Sequence, residues 1–298
     1  MRSDGDSWDI KTSVGATALF VAAARGLAAR QPDPLAVDPF AEVFCRAAGE
    51  QWSALFEPGA DTSDHPLVST AFGRNFQEFQ AARTRFFDTY LTRAVGAGVR
   101  QVVILAAGLD SRAYRLPFPA GTVVYELDRA PVLEFKREVL AEHGAELTAQ
   151  RCEVAVDLRD DWAKALQQNG FDAANPTAWL IEGLLLYLPA DAQDRIFETV
   201  DALSASGSQV AIEQMDTIPA DVYSQMTKPS AEAPGRNQWA TLLYNEPKSE
   251  ASEWFSQHHW AANRTELADY LAELGVAVDP DAGQIRPTAA SFVDAIKR

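Results

Sequence analysis

An uninterrupted apolar strand that ends near a single glycine is the feature that most constrains this fold. Residues 102–116 read VVILAAGLDSRAYRL, in which four apolar residues without polar alternation precede the turn at Gly108. A strand of this kind is typically covered on both faces, as in a parallel sheet flanked by helices. In open α/β sheets, ligands bind in the crevice beyond the carboxyl ends of the strands. We therefore expect a cofactor site around Gly108.

Predicted strands and helices alternate from this point onward. Five strands separated by helical segments predict right-handed βαβ units and a doubly wound, mostly parallel α/β sheet of Rossmann-like type. The strands are predicted at 101–106, 122–128, 152–158, 178–188 and 209–215, the helices near 110–115 and at 130–143, 160–168 and 190–205, and the tail adds a helix at 265–274 and a strand at 275–279.

The chain of 298 residues is expected to form one domain with added segments. Residues 1–96 are predicted to be helical and to include a long amphipathic helix over 72–95, and residues 97–216 form the α/β core. Residues 217–263 break the alternation and are predicted to form an inserted cap, with irregular packing as the alternative, while 264–298 complete the core. The aromatic residues of the cap include Tyr223, Trp239, Tyr244, Trp254 and Trp260.

The acidic charge of the chain disfavours nucleic acid as a partner. Lys and Arg together number 26 and Asp and Glu 42, which gives a formal net charge of -16. A field of this sign repels a phosphate backbone. Nucleic acid is therefore not expected as a partner.

A cytoplasmic location is predicted from the cysteines and the N-terminal residues. Cys45 and Cys152 lie far apart in no metal or redox spacing, which is typical of a reducing compartment. The apolar run 14–24 follows three aspartates where a signal peptide carries positive charge, and it is too short to cross a bilayer. The adjacent His258 and His259 lack the spacing of a zinc site, so no metal is assigned.

An acidic residue closes the second predicted strand. Asp128 follows Gly108 by twenty residues, at the end of the strand TVVYELD. Nucleotide-binding α/β folds use an acidic residue in this position to bind a ribose, because one carboxylate accepts from two hydroxyl donors. Glu126 lies on the same strand face and could share this role. The alternative for Asp128 is a cap of the helix that begins near Pro131.

The glycine turn itself favours a cofactor without phosphate. It contains one glycine and lacks the GxGxxG pattern whose backbone approaches a pyrophosphate. S-adenosyl-L-methionine is a ribonucleoside that carries a sulfonium and an amino acid tail but no phosphate. The residues therefore favour a methyl donor over NAD.

Two further strand ends carry acidic residues. Asp157 ends the third predicted strand and is placed to accept from an adenine amino group while Leu158 packs on the ring, although capping of the next helix is an equally natural role. Asp160 is a second candidate for that cap. Glu182 interrupts the apolar run of the fourth strand, where an unpaired carboxylate is costly. It is expected either near the cationic end of a cofactor or in a structural ion pair.

The sequence leaves two alternative functions. An NAD-dependent oxidoreductase is disfavoured because the glycine loop is absent and no Tyr-x-x-x-Lys pair stands near a fitting strand. A non-catalytic protein that binds S-adenosylmethionine as a sensor needs no acceptor pocket, so the aromatic-rich cap argues against it.

With these strand ends assembled, the chain resembles the actinobacterial S-adenosyl-L-methionine-dependent methyltransferases related to leucine carboxyl methyltransferases. The likeness covers nearly the whole chain from Trp8, and the AAGLDSR loop in place of a GxGxG pattern is shared with this family. The motifs that carry the resemblance are ARTRFFDTYL, VVILAAGLDSRAYRL, VVYELDRAPVLEFK, DLRDDW and IEGLLLYLP.

The resemblance implies a class I methyltransferase fold and a role for each matching residue. Arg83 would contact the cofactor carboxylate, Gly108 would line the amino acid moiety, and Asp128 would bind the ribose. Glu182 would lie near the methionine end, and Lys11 would add a second carboxylate contact.

The adenine end of the cofactor and the reaction follow from the same resemblance. Asp157 and Leu158 would frame the adenine. The expected reaction is methyl transfer to an oxygen of a small-molecule or carboxylate acceptor, an in-line displacement that depends on alignment and water exclusion. Such acceptors need no strong general base, and no side chain is assigned as catalytic.

Overall fold

Seven strands form one sheet in the order β3-β2-β1-β4-β5-β7-β6. The computed structural model describes residues 14–228, 240–276 and 290–298, so Lys11 and Trp239 lie outside the described residues. The strands are β1 (Gln101–Leu105), β2 (Val123–Asp128), β3 (Gln150–Ala155), β4 (Thr177–Ile181), β5 (Gln209–Met215), β6 (Trp260–Glu266) and β7 (Ala290–Lys297).

The strand directions place several carboxyl ends at one edge. Strands β1 to β5 run parallel, and β7 inserts antiparallel between β5 and β6. At the end of β1, Leu105 lies opposite Leu127 of β2 on one side and Ile181 of β4 on the other. The prediction of a doubly wound, mostly parallel sheet is confirmed.

Helices cover both faces of the sheet and build the N-terminal segment. Among the described residues, no helix is both long and apolar enough to cross a membrane. The helices are α1 (Val14–Ala29), α2 (Ala41–Ala47), α3 (Glu50–Ser53), α4 (Pro66–Ser69), α5 (Ala71–Gly96), α6 (Arg112–Arg115), α7 (Ala130–Glu142), α8 (Trp162–Gln168), α9 (Ala190–Ala202), α10 (Ala220–Met226), α11 (Ala251–Gln257) and α12 (Leu267–Glu273), with 3-10 turns at Ala54–Phe56 and Leu185–Tyr187.

The apolar run in β1 is buried on both sides of the sheet. Val103 and Leu105 face the layer formed by α8, α9 and α11, and Val102 and Ile104 face the layer formed by α5 and α12. Successive side chains of a strand point to opposite faces, so a strand between two helical layers must be apolar throughout. Helices α1 to α4 pack together in a third cluster, which reaches Leu109 beyond β1.

Two predicted strands are shorter than the sequence pattern suggests. The prediction of a strand over 178–188 is wrong, because β4 ends at Ile181 and a 3-10 turn follows. Gly183 takes a left-handed backbone with φ 64°, which no continuing strand can hold. Strand β3 ends at Ala155, which lies opposite Asp128, the last residue of β2.

The second half of the segment predicted to form a cap belongs to the sheet and its helical cover. Trp260 begins the edge strand β6, is buried, and donates its indole N–H to Asp201 at 2.8 Å. Trp254 lies on α11 and packs against Phe197 of α9. Most of the predicted strand 275–279 falls outside the described residues.

The C-terminal strand should be essential for stability because it joins β5 to β6. Phe292 is fully buried and packs against Phe86 of α5 with ring centroids 4.6 Å apart. We expect Phe292→Ala to lower the free energy of unfolding by about 3 to 5 kcal/mol, the usual effect of deleting a buried aromatic ring. Chemical denaturation measures this change.

The matched control lies on the same strand. Ile296 is 43% exposed, so Ile296→Ala should change the unfolding free energy by no more than about 0.5 kcal/mol. Equal effects of the two substitutions would contradict the central position of β7.

Candidate functional site

The loop after β1 leaves open space above a glycine. Ala106 and Gly108 both have positive φ, at 52° and 46°, so the chain turns sharply where the strand ends. A Cβ on Gly108 would have only the carbonyl oxygen of Ala106 near it, at 3.9 Å. This part of the loop can therefore approach a ligand closely.

Asp128 is joined to this loop by a hydrogen bond. Its Oδ2 accepts from the Gly108 N–H at 2.7 Å, and its Oδ1 accepts from the Arg129 N–H at 2.7 Å. Burial raises the pKa of Asp128 above its usual value, although these two hydrogen bonds oppose the shift. A carboxylate has about four acceptor sites, so two remain for other donors.

The helix-cap alternative for Asp128 is wrong. Helix α7 has Arg129 at its N-cap position and receives no side-chain cap. Asp128 precedes that position and bonds to the β1 loop instead. Its carboxylate thus links the ends of β1 and β2.

Glu126 is not available to a ligand, so the expectation that it shares the role of Asp128 is wrong. Its side chain is fully buried and pairs with Lys136 at 2.7 Å and with Arg151 at 2.7 Å. Lys136 lies on α7, which covers this face of β2. The shared strand face therefore holds a structural ion pair.

Asp157 and Leu158 lie just beyond β3. Asp157 is half-buried and accepts from the Arg159 guanidinium at 2.8 Å, which holds the pKa of the Asp157 carboxyl below its usual value. Leu158 packs against the core cluster of the β1 face that includes Val103 and Leu105. The cap of α8 is Asp161, which accepts from the Lys164 N–H at 3.0 Å. The alternative that Asp157 or Asp160 caps this helix is therefore wrong.

Arg83 links the ends of β4 and β5 to the long helix α5. Its guanidinium lies 3.0 Å from Glu182 and donates to Glu213 at 2.8 Å. Glu213 also accepts from the Gly183 N–H at 2.7 Å. A Cβ on Gly183 would come within 3.3 Å of Arg83, so glycine permits this close packing.

The ion pairs continue from Glu182 towards the N-terminal helices. Arg112 donates to Glu182 at 2.8 Å and to Asp88 at 2.7 Å, and it also pairs with Asp110. Arg115 then joins Asp88 to Asp38, to which Arg25 of α1 also pairs at 3.1 Å. This set, which we call the ionic network, comprises Arg25, Arg83, Arg112 and Arg115 with Asp38, Asp88, Asp110, Glu182 and Glu213.

Charge pairing holds the ionic network in its ionised form. Burial raises the pKa of Asp88 and of Asp110, but Arg112, Arg115 and the hydrogen bonds to these carboxylates together outweigh it, so both pKa values lie below the usual range. Burial likewise opposes the charge of Arg83, and the fields of Glu213 and Glu182 keep its pKa above the usual value. Within the described residues, the network contains one more carboxylate than guanidinium groups.

The structure thus brings Arg83, Gly108, Asp128 and Glu182 to the carboxyl edge, with Asp157 and Leu158 beyond β3. Glu182 pairs with both Arg83 and Arg112. This is the structural ion pair that the sequence predicted as the alternative to a cofactor contact. Glu213 was missed, although it carries the same signal as Glu182: a carboxylate within an apolar strand. Lys11 lies outside the described residues, and the roles of all these residues in binding stay predictions.

A small cavity of about 20 Å³ lies beyond the end of β5. Its walls come from the 3-10 turn after β4, from residues 215–218 and from residues 243–248. It thus lies beside the strand ends that carry the ionic network. We call it the β5 cavity.

Comparisons with known proteins agree on a family. The profile of a family described as leucine carboxyl methyltransferase matches residues 18–201. The chain is 60% identical over 275 residues to a Mycobacterium sp. (strain KMS) protein named for an inferred S-adenosyl-L-methionine-dependent methyltransferase activity, and 92% of each chain is covered. It is 57% identical over 288 residues to a similarly named Mycolicibacterium smegmatis protein, with 96% of each covered.

A solved structure agrees on the fold. A crystal structure of a protein from Thermobifida fusca, also named a methyltransferase by inference, aligns with a TM-score of 0.51. The alignment covers 94% of each chain at 15% sequence identity. An identity this low supports a shared fold and not a shared function.

Asp88 offers a test of the ionic network because it holds two arginines. Asp88→Asn should lower the free energy of unfolding at pH 7 by about 3 to 5 kcal/mol, since it leaves buried guanidinium groups unpaired. In the folded protein the pKa of Asp88 lies below its usual value of about 3.9. Its contribution to the free energy of unfolding is therefore fully present above that usual value and is lost as the pH falls through the lowered pKa. Denaturation at pH 7 and at pH 3 to 4 measures both effects.

Glu198 on α9 is an exposed acidic residue outside the ionic network and provides the control. Glu198→Gln should change the unfolding free energy by at most about 0.5 kcal/mol at either pH. A loss at Asp88 that is equally small would show that the network adds little to stability.

Proposed function

The chain belongs to the leucine carboxyl methyltransferase family of S-adenosyl-L-methionine-dependent enzymes, and from this premise we propose that it methylates an oxygen atom of a small-molecule or carboxylate acceptor. Because the chain belongs to this family of enzymes, we discard the two alternative functions, the NAD-dependent oxidoreductase and the non-catalytic sensor. The acceptor part of this proposal is supported by the family description, leucine carboxyl methyltransferase. The cofactor part is carried by the hydrogen bond from Gly108 to Asp128, at the open end of β1.

We propose that Asp128 binds the ribose hydroxyls of the cofactor. Gly108 and Arg129 use one acceptor site on each oxygen of Asp128 and orient the carboxylate. The remaining acceptor sites suit two hydroxyl donors. The open space above Gly108 suits the close approach of the amino acid moiety.

Arg83 and Glu182 would bind the methionine end. Arg83 keeps donors beyond those used by Glu213 and Glu182, and these suit the cofactor carboxylate. The excess carboxylate of the ionic network favours a ligand with cationic groups, as the sulfonium and ammonium of the cofactor are. Lys11 would add a carboxylate contact.

Asp157 and Leu158 would frame the adenine. The half-buried Leu158 offers an apolar surface for a ring, and Asp157 offers an ionised carboxylate for the adenine amino group. Arg159 holds this carboxylate by three hydrogen bonds, two from its side chain and one from its backbone N–H. Its direction is thereby set before the cofactor binds.

The proposed methyl transfer requires this chain mainly to align the reactants. When bound, S-adenosyl-L-methionine supplies an electrophilic methyl group. The residues at the strand ends would orient the reactants and exclude water, which lowers the barrier of an in-line displacement. A carboxylate or acidic hydroxyl acceptor is already a nucleophile and needs no strong general base. The free Cys45 and Cys152 are consistent with a cytoplasmic location for this reaction.

Cofactor choice is tested by thermal stability. A ligand that binds only the folded state adds about 2.7 kcal/mol at a hundredfold excess over its Kd. S-adenosyl-L-methionine and S-adenosyl-L-homocysteine should therefore raise the melting temperature, whereas NAD and NADP should not. A shift with NAD and none with the methyl donor would overturn the assignment.

Asp128→Asn tests the ribose contact. The substitution keeps the size and one acceptor but removes the charge, and a hydrogen bond to a charged group contributes about 1.5 to 3 kcal/mol. The affinity for S-adenosyl-L-homocysteine, measured by titration calorimetry, should fall at least tenfold. The melting temperature of the apoprotein should fall by only about 2 to 4 °C, because one backbone N–H loses its acceptor.

Two variants complete this test. Asp161→Asn keeps the cap of α8, because Asn caps about as well as Asp, and should leave cofactor affinity unchanged. Gly108→Ala places a methyl group in the open space above the loop and should weaken binding more than its effect on apoprotein stability explains. Unchanged affinity in the Asp128 variant would remove this residue from the site.

A further inference from the structure

A fully buried lysine contacts the loop after β1 from the helix that covers β2. Lys136 of α7 has no exposed surface. Its ammonium donates to the Asp110 backbone carbonyl at 3.1 Å and lies 2.7 Å from the Glu126 carboxylate. Lys136 thus joins the loop after β1 to strand β2.

The two preceding residues of this loop are also held by side chains. Asp128 accepts from the Gly108 N–H at 2.7 Å, and Arg25 donates to the Leu109 carbonyl at 2.9 Å. With the bond from Lys136 to the next residue, three consecutive residues are each fixed by a side chain from a different element, namely β2, α1 and α7. The contact from Lys136 is therefore the one that ties the loop to α7.

Packing alone does not explain a charge at this position. Burying an ammonium group is costly, and apolar residues of similar volume often replace a buried ion pair without loss of stability. Glu126 does not depend on Lys136 as its counter-ion, because the Arg151 guanidinium also lies 2.7 Å from it. The charge of Lys136 is thus accounted for by the loop that it holds.

Lys136 also acts on Asp128 through its charge. Burial raises the pKa of Asp128, and the hydrogen bonds from the Gly108 and Arg129 N–H groups oppose this shift. The positive charge of Lys136 also lowers the pKa of Asp128, whereas the negative charge of Glu126 raises it. The two members of this ion pair therefore have opposite effects on the same carboxyl group.

The other charged groups near Asp128 are paired with one another. Asp110, in the loop after β1, pairs with Arg112 of α6. Arg129, the next residue in the chain, has its guanidinium 3.9 Å from the carboxylate of Asp157 beyond β3. A charge removed from the middle of α7 leaves both of these pairs in place.

We propose that Lys136 is a positioning residue for the cofactor, because it fixes the loop after β1 relative to the end of β2 so that Gly108 and Asp128 meet the cofactor together. The inference rests on the proposed function, in which these two residues bind S-adenosyl-L-methionine, and it adds a residue that acts through them. The bond to the Asp110 carbonyl holds the loop. The charge favours the ionised form of Asp128, which is the stronger acceptor for ribose hydroxyls.

The pH dependence of ligand binding tests this role without measuring methyl transfer. Titration calorimetry on the full chain gives the affinity for S-adenosyl-L-homocysteine at a series of pH values. The affinity should fall at low pH as Asp128 becomes protonated, and this acid limb should be absent in Asp128→Asn.

Lys136→Met should change both the affinity and the acid limb. The affinity at neutral pH should fall about fivefold or more, because a hydrogen bond that orients the loop is lost. The acid limb should move to higher pH by at least about half a pH unit, because the pKa of Asp128 rises when a nearby positive charge is removed.

Glu126→Gln breaks the same ion pair from the other side. It removes a negative charge near Asp128, so the acid limb should move to lower pH. A packing defect would weaken binding at every pH and would not move the limb in opposite directions in the two variants. Lys164→Met removes an exposed lysine on α8 and should change neither the affinity nor the limb.

The outcomes separate this inference from the proposed function. An unshifted acid limb in Lys136→Met, or shifts in the same direction in Lys136→Met and Glu126→Gln, would overturn the positioning role and leave the cofactor site in place. Melting curves of the apoproteins identify a variant that does not fold, and the shift in the other variant then decides. Failure of the wild-type protein to bind S-adenosyl-L-homocysteine would overturn the proposed cofactor site, and the role of Lys136 with it.

Discussion

Buried charge is the constraint on which the rest of this structure depends. The ionic network runs from Arg25 on α1 to Glu213 on β5 and crosses α5 and α6 on the way. Breaking one buried pair costs about 3 to 5 kcal/mol, because the remaining charge is left uncompensated. The N-terminal helices therefore cannot shift relative to the sheet without losing these pairs, and the strand ends of β4 and β5 are held at a defined distance from α5.

This constraint supports the proposed cofactor site in a chain that lacks a glycine-rich phosphate loop. Asp128 and Gly108 are oriented by a backbone hydrogen bond, whereas Arg83 and Glu182 are oriented by the ionic network. Because such groups are held rigidly before a ligand binds, binding costs less conformational entropy. Beyond the end of β5, the same edge of the sheet continues into the β5 cavity.

The local patterns in the sequence predicted the parallel core well, because apolar runs and helical periodicity are local signals. They did not predict the break at Gly183, where a positive φ ends β4 inside an apolar run. The inserted strand β7 and the ion pairs of Glu126 were also missed, because both depend on residues far apart in the chain. Glu213 could have been found, since a carboxylate in a buried strand requires a partner.

The central claim is that the ends of β1 and β2 hold the ribose of a methyl donor. A crystal structure of the chain with S-adenosyl-L-homocysteine tests this most directly. We expect both ribose hydroxyls within hydrogen-bond distance of the Asp128 carboxylate, with the hydrogen bond from Gly108 intact. A ribose bound elsewhere, or an Asp128 carboxylate turned away from it, would contradict the account.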